Sequence, residues 1–131
     1  MKVIITGSRD FCDYALVKDK CERILRDKKE GEIEVVCGMC KGVDMLGKRL
    51  AEEKGWRIKK IRAHPKIFGR SAGIIRDHEM ADYADALIVF WDGKKGCSVT
   101  YSIVSKARKR GLYVRVILIS SVSLQTKNHF Q

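Results

Sequence analysis

The sequence predicts an α/β protein built on a mostly parallel sheet, and two features of the chain lead to that prediction. Short apolar runs alternate with segments of helical spacing along nearly the whole chain. In addition, each of three glycine-containing strings directly follows an apolar run: 6–10, 38–44 and 93–96. Strands that alternate with helices of about 10–15 residues form right-handed βαβ units and a parallel sheet covered on both faces. We therefore expect a single Rossmann-like, three-layer domain with a mostly parallel five-stranded sheet.

The strands are predicted from the apolar runs at residues 2–6, 33–37, 58–62, 86–91 and 113–119. The run 86–91 is almost continuously apolar, as expected for a strand that is covered on both faces. The run 58–62 is shorter and alternates with charged residues, which favours a position at the edge of the sheet.

The helices are predicted from apolar side chains that recur on one face. Asp13 is a good N-cap for the first helix, in which Tyr14, Val17 and Cys21 share a face. The second helix follows Gly42 and ends at Gly55. A third is expected from Ser71, as N-cap, to Tyr83, and the last carries Val99, Ile103 and Ala107 and ends at Gly111.

The chain has 131 residues, enough for one domain, which we expect at 1–119 with a C-terminal tail at 120–131. No run approaches the roughly 20 apolar residues that span a bilayer, and the N-terminus lacks signal-peptide architecture. A cytoplasmic protein without membrane contact is therefore the expectation. The net charge of +11 predicts a partner that is an anion, such as a nucleotide or a nucleic acid.

The five cysteines predict neither a disulfide framework nor a zinc site. Cys21 is expected in the core. Cys37 and Cys40 form a CxxC motif at a strand–helix junction, where a thioredoxin-like redox pair is the alternative to a core cysteine followed by a loop cysteine. No metal or cofactor is expected.

The glycine strings indicate what kind of ligand the protein binds. Glycine between a strand and a helix lets backbone N–H groups approach a phosphate, and the helix dipole favours the negative charge. Because ligands of parallel sheets bind beyond the carboxyl ends of the strands, three such strings at that edge predict a site for a phosphorylated, nucleotide-like ligand.

Four ordered motifs carry a resemblance to a known family. V-I-I-T-G-S-R-D-F, C-G-x-x-x-G-V-D, A-G-I-I-R-D-H-E-M and A-D-A-L-I-V-F-W-D-G, found between Met1 and Ile119, resemble the YspA-like (cpYpsA-related) family. That family belongs to the SLOG superfamily, which also contains the LOG phosphoribohydrolases and DprA. The resemblance implies a Rossmann-like sheet and a pocket for a nucleotide or a nucleotide-derived ligand.

The resemblance also implies roles for individual residues. The loop at 7–9 would contact the phosphate or ribose, 38–44 would form a second wall, and 93–96 would correspond to a phosphate loop. Arg76 would match a functional arginine of LOG enzymes. The candidate ligand-binding residues are Thr6, Gly7, Ser8, Arg9, Gly38, Lys41, Gly42, Asp44, Arg76, Gly93, Gly96 and Ser98. The candidate catalytic residues are Arg76 and Asp77, with Asp92 as the alternative carboxylate.

Each candidate also has a structural alternative. Arg9 is expected to bind ligand, and the alternative is a local ion pair with Asp10 or Asp13. Arg76 is either a surface arginine or a ligand contact, and Asp44 either serves its own helix or accepts ribose hydroxyls. We expect Arg9 and Arg76 to face one pocket, with neither needed by the core.

Three functions are open. The first is binding of a nucleotide-like small molecule, as sensor or enzyme. The second is N-glycosidic cleavage of a nucleoside 5′-monophosphate, although the glutamate that LOG enzymes carry beyond the phosphate loop is missing from 96–101. The third is binding of single-stranded nucleic acid. A homodimer is a further possibility that the sequence leaves open.

Overall fold

Five parallel strands form one sheet in the computed structural model, which describes residues 1–93 and 98–119. The strand order is β3-β2-β1-β4-β5, and every strand pairing in the described residues is parallel. The bounds are β1 (Lys2–Gly7), β2 (Glu34–Cys37), β3 (Arg57–Lys60), β4 (Ala86–Trp91) and β5 (Tyr113–Leu118). The predicted α/β class and the edge position of β3 are confirmed.

The strand order reverses at β1, in the middle of the sheet. The chain leaves β1 toward β2 and β3, and then crosses to the other side of β1, where β4 pairs with it from Val3↔Ala86 to Gly7↔Phe90. The carboxyl ends of β1 and β4 therefore flank the switch point, and in open parallel sheets ligands generally bind at this position.

The helices form a layer on each face. Helices α1 (Tyr14–Leu25) and α2 (Val43–Lys54) pack on one face, and α4 (Ala72–Tyr83) and α5 (Ser98–Lys109) pack on the other. Alternate residues of β1 supply the two cores, because Val3 and Ile5 face α1 and α2 whereas Ile4 faces α4 and α5. A short helix, α3 (Pro65–Phe68), lies in the connection after β3 and begins at its proline.

Two of the predicted helix ends have the expected chemistry and one does not. The carboxylate of Asp13 accepts a hydrogen bond from the N–H of Leu16 at 3.2 Å, and Gly55 ends α2 at a φ of 73°. Ser71 precedes α4 as expected, but its side chain makes no capping bond. It already belongs to a 3-10 turn, Gly69–Ser71, that runs into the helix, so its backbone does not have the extended conformation of a normal N-cap.

Among the described residues, no helix combines the length and the apolar character needed to cross a membrane. The predicted tail, 120–131, and the part of the third glycine string at 94–97, which includes Gly96, lie outside the described residues. The side chain of Ser98, at the start of α5, also lies outside them.

Candidate functional site

The first two glycine strings meet at the carboxyl edge of the sheet. Gly42 has a φ of 84°, and a Cβ atom there would lie 2.3 Å from the carbonyl oxygen of Ser8 and 2.5 Å from the Cα of Arg9. That carbonyl oxygen accepts a hydrogen bond from the N–H of Val43 at 3.2 Å. The β1–α1 loop and the β2–α2 loop are therefore in direct backbone contact, and only glycine fits at the contact.

Gly7 places the first loop against β4. A Cβ atom at Gly7 would lie 2.1 Å from the carbonyl oxygen of Phe90, and the N–H of Ser8 donates to the same oxygen at 3.1 Å. The loop that carries Ser8 and Arg9 thus lies at the switch point between β1 and β4. Gly93 lies further along the edge, where a Cβ atom would be 3.7 Å from the side chain of Leu118.

Asp44, in the first turn of α2, holds two of these segments together. The hydroxyl of Thr6 donates to one carboxylate oxygen of Asp44, and the N–H of Cys40 donates to the other at 3.3 Å. Asp44 is only 4% exposed, and this burial raises its pKa above the usual value, although the Thr6 and Cys40 hydrogen bonds and the Arg76 charge oppose the shift. The hydrogen-bond partners of Asp44 thus come from β1 and from the β2–α2 loop, and neither of the two predicted alternatives named these partners.

Arg76 lies beneath the loop rather than on the surface. Its residue exposure is 6%, and its guanidinium donates to the Cys40 sulfur at 2.8 Å and to a carboxylate oxygen of Asp77 at 3.2 Å. Burial by itself lowers the pKa of Arg76, but the neighbouring Asp77, Cys40 and Asp44 outweigh it and the pKa is raised. The alternative of a surface arginine is wrong, and so is the expectation that the core does not need this side chain.

Asp77 is buried with its partner at 3% exposure. Burial raises the pKa of its carboxyl group, and the adjacent Arg76 charge opposes that shift. The Asp77 carboxylate accepts a hydrogen bond from Arg76 and thereby compensates the buried charge of that guanidinium.

Gly38 follows β2 at the carboxyl edge of the sheet, where side chains from α2 and α4 come together. A Cβ atom at Gly38 would lie 2.9 Å from a carboxylate oxygen of Asp44, 3.2 Å from the sulfur of Met80 and 3.4 Å from Cδ of Arg76. Gly38 does not have a positive φ, so close packing is the reason that this position needs a glycine. Groups from α2 and α4 are therefore in contact at the end of β2, directly below the β2–α2 loop.

Among the described residues of the β1–α1 and β2–α2 loops, the exposed cations are Arg9 and Lys41. Within residues 1–93 and 98–119, the Arg9 side chain has no hydrogen-bond or ion-pair partner, so the alternative of a local pair with Asp10 or Asp13 is not found. Arg9 and Arg76 both adjoin the β2–α2 loop, Arg9 through the backbone at Gly42 and Arg76 through the Cys40 sulfur. Of these two arginines, Arg9 is exposed to solvent and Arg76 is buried.

Sequence reasoning missed the contact between Cys40 and Arg76. Cys40 is a loop residue, as expected, but nothing in the CxxC spacing indicates a partner 36 residues away. Cys37 is buried in the core as predicted, with its pKa raised by burial to about 11.

The fold and the site define a Rossmann-like protein with a loop-built site at the carboxyl edge of its sheet. Residues 1–66 match the family model described as YAcAr: YspA, cpYpsA-related SLOG family, and the chain belongs to this family. Searches of curated proteins and of solved structures gave no match to the chain.

Proposed function

We propose that this protein binds a nucleotide or a nucleotide-derived ligand at the carboxyl edge, on the surface that the β1–α1 and β2–α2 loops form together. The observation that carries the proposal is the backbone contact of Gly42 with Ser8 and Arg9, since it unites two glycine loops and their exposed cations beside the switch point. Membership of the SLOG family supports a nucleotide-related ligand.

In this arrangement side chains, rather than the N-termini of the helices, bind the phosphate. The N-terminal turns of the two adjacent helices already contain carboxylates, Asp13 capping α1 and Asp44 in α2, which reduce the attraction of the helix dipoles for an anion. Arg9 is therefore the main phosphate ligand, because its guanidinium fork can hold two phosphate oxygens. Lys41 adds a second charge, and Arg76 positions the loop from below through Cys40.

Binding is favoured over N-glycosidic cleavage. Cleavage through an oxocarbenium-like state needs a carboxylate that reaches the ribose or a water molecule. Two carboxylates among the candidate site residues, Asp44 and Asp77, are 4% and 3% exposed and accept hydrogen bonds from protein groups. Incubation of the protein with AMP, GMP and CMP is therefore expected to release no base, and steady release would favour the hydrolase.

A thermal-shift screen tests the proposal, with nucleoside mono- and diphosphates, ADP-ribose and cyclic nucleotides as probes. At least one probe is expected to raise the melting temperature in proportion to its affinity. Arg9→Ala should weaken binding of that probe by about 1.5–3 kcal/mol, the loss typical of a hydrogen bond to a charged group, with little change in stability. Arg26→Ala, an exposed arginine at the end of α1, is the matched control. A flat response of the wild-type protein to the whole panel would remove the proposal.

A further inference from the structure

The excess positive charge of the chain is concentrated on one side of the sheet. Residues 14–54, which include α1 and α2, contain 10 lysines and arginines and 9 acidic residues. The segments 57–83 and 98–110, which include α4 and α5, together contain 11 lysines and arginines but 3 acidic residues. Within the described residues, the first side has four salt bridges between its own residues and the second has two, Arg76–Asp77 and Arg110–Asp82.

Two basic grooves flank α4 on this side. The first has a volume of about 510 Å³ and lies between the end of β3 and α4; it is lined by Lys59, Lys60, Ile61, Arg62, His64, Glu79, Asp82 and Tyr83. The second has a volume of about 520 Å³ and lies between α4 and α5; it is lined by His78, Tyr101, Ser102, Ser105, Lys106, Lys109 and Arg110. Each groove thus holds three lysines or arginines and one histidine.

The cations of the grooves differ in how firmly they are held. Arg110 pairs with Asp82 at 2.8 Å and lies 3.3 Å from a ring nitrogen of His78, so it forms a fixed boundary of the second groove. Lys106 donates to the hydroxyl of Ser102 within the groove, and neither Lys106 nor Lys109 has a salt bridge to a described residue. An anion in this groove would therefore meet lysine charge without having to displace a carboxylate.

An aromatic ring stands at the other end of the second groove. Tyr101 is 41% exposed and packs against Trp91, with the ring centroids 6.2 Å apart. A supported, exposed ring beside lysines is the arrangement on which single-stranded nucleic acids bind, since bases stack on the ring and phosphates follow the cations.

We propose that the grooves beside α4 bind single-stranded nucleic acid, with phosphates at Lys60, Arg62, Lys106 and Lys109 and a base on Tyr101. This surface lies on the α4 and α5 side and is separate from the nucleotide site proposed at the Gly42 loop. A single strand fits better than a duplex, because a flexible chain can enter recesses on both sides of a helix and a rigid cylinder cannot. A single strand also fits better than a lipid surface, because the cations line recesses that a flat membrane surface cannot enter.

Fluorescence anisotropy with a labelled oligothymidylate, measured over a series of salt concentrations, tests the proposal. The wild-type protein is expected to bind, with affinity that falls steeply as salt rises. Lys106→Ala/Lys109→Ala should reduce the slope of log K against log salt by about 1.4, because each phosphate contact on a single strand contributes about 0.7. Arg26→Ala/Lys29→Ala removes the same charge from exposed positions after α1 and should leave most of the affinity and the slope intact.

Tyr101→Ala separates stacking from charge. It should weaken binding roughly fivefold or more while leaving the salt slope unchanged, because stacking releases no counterions. Tyr113→Ala, another exposed tyrosine, on β5, is the control and should have no effect. Equal losses in the two double variants would overturn the proposal, and so would equal affinity for the annealed duplex. Binding to anionic vesicles that the oligonucleotide does not compete away would assign the surface to lipid and overturn it as well.

Discussion

Arg76 and Asp77, adjacent residues of α4, form a buried ion pair in which the guanidinium donates to one carboxylate oxygen at 3.2 Å. The side chains are 7% and 4% exposed. Two neighbouring residues of a helix normally point about 100° apart, so the long arginine side chain has to fold back to reach Asp77. The guanidinium also donates to the Cys40 sulfur, so Arg76 of α4 helps to hold the β2–α2 loop in place.

Arg76→Ala is therefore expected to destabilise the protein by about 3–5 kcal/mol, because removal of one partner leaves the other charge buried and uncompensated. Urea unfolding followed by circular dichroism measures the change. Arg76→Met/Asp77→Leu removes both charges and keeps apolar volume, and it should be more stable than Arg76→Ala. A double variant that is less stable than the single one would contradict this account of the pair.

Much of the fold could be predicted because its signals are local. The apolar runs set the strands, and Gly42 and Gly55 are identifiable from their positions beside predicted helix ends. At Gly42 the structure supplies a more specific reason, namely contact with the β1–α1 loop. The predicted bounds of β3 are less accurate, 58–62 against Arg57–Lys60, because an edge strand with alternating charges ends where its pairing with β2 ends.

The burial of Arg76 could not be predicted from residue type. Arg76 lies on the same face of α4 as Ala72 and Met80, both buried, so the helical period places it inward. An arginine at such a position is normally exposed, and only the adjacent acid and a contact with a loop 36 residues away compensate its burial. The contact with the loop depends on where the connection from β3 to β4 places α4, and no local sequence pattern predicts that position.

Gly42→Ala should be more destabilising than Gly55→Ala by about 2 kcal/mol, the usual cost of forcing an extra methyl group into a packed site. Both glycines have positive φ, 84° and 73°, so alanine is strained at each. At Gly55 the new methyl group has no atom within 4 Å, whereas at Gly42 it would overlap the backbone of Ser8 and Arg9. Urea unfolding of the two variants measures the difference, and equal losses would show that the two loops are not in the close contact described.

Asp44 gives the stability a defined dependence on pH. Burial raises the pKa of its carboxyl group in the folded protein above 3.8, the value of the free side chain, although Thr6, Cys40 and Arg76 oppose the shift. Between those two pKa values the folded protein binds more protons than the unfolded chain. The contribution of Asp44 to the free energy of unfolding therefore falls as pH rises through that window and is constant above it.

Asp44→Asn tests this dependence by removing the titration while keeping the size of the side chain. The stability of the wild-type protein relative to Asp44→Asn should be greatest below pH 3.8 and should decline as pH rises above that value, measured by urea unfolding at a series of pH values. Asp77 is present in both proteins, and its charge helps to raise the pKa of Asp44, so the comparison includes the interaction between the two carboxyl groups. A relative stability that rises with pH would mean that the carboxylate is held by its hydrogen bonds more strongly than burial opposes it.

The cysteines should differ in reactivity toward iodoacetamide in the folded protein. Burial raises the pKa of Cys21 to about 12 and that of Cys37 to about 11, so both are protonated at neutral pH as well as inaccessible. Cys12 is exposed and Cys40 is partly exposed, so of the four cysteines in the described part of the chain these two should be alkylated first. Peptide mass mapping after brief labelling measures the order, and labelling in urea is the control that makes Cys21 and Cys37 accessible. Early modification of Cys37 together with Cys40 would revive the redox-pair alternative for the CxxC motif, whereas modification of Cys40 alone leaves Cys37 as a core residue.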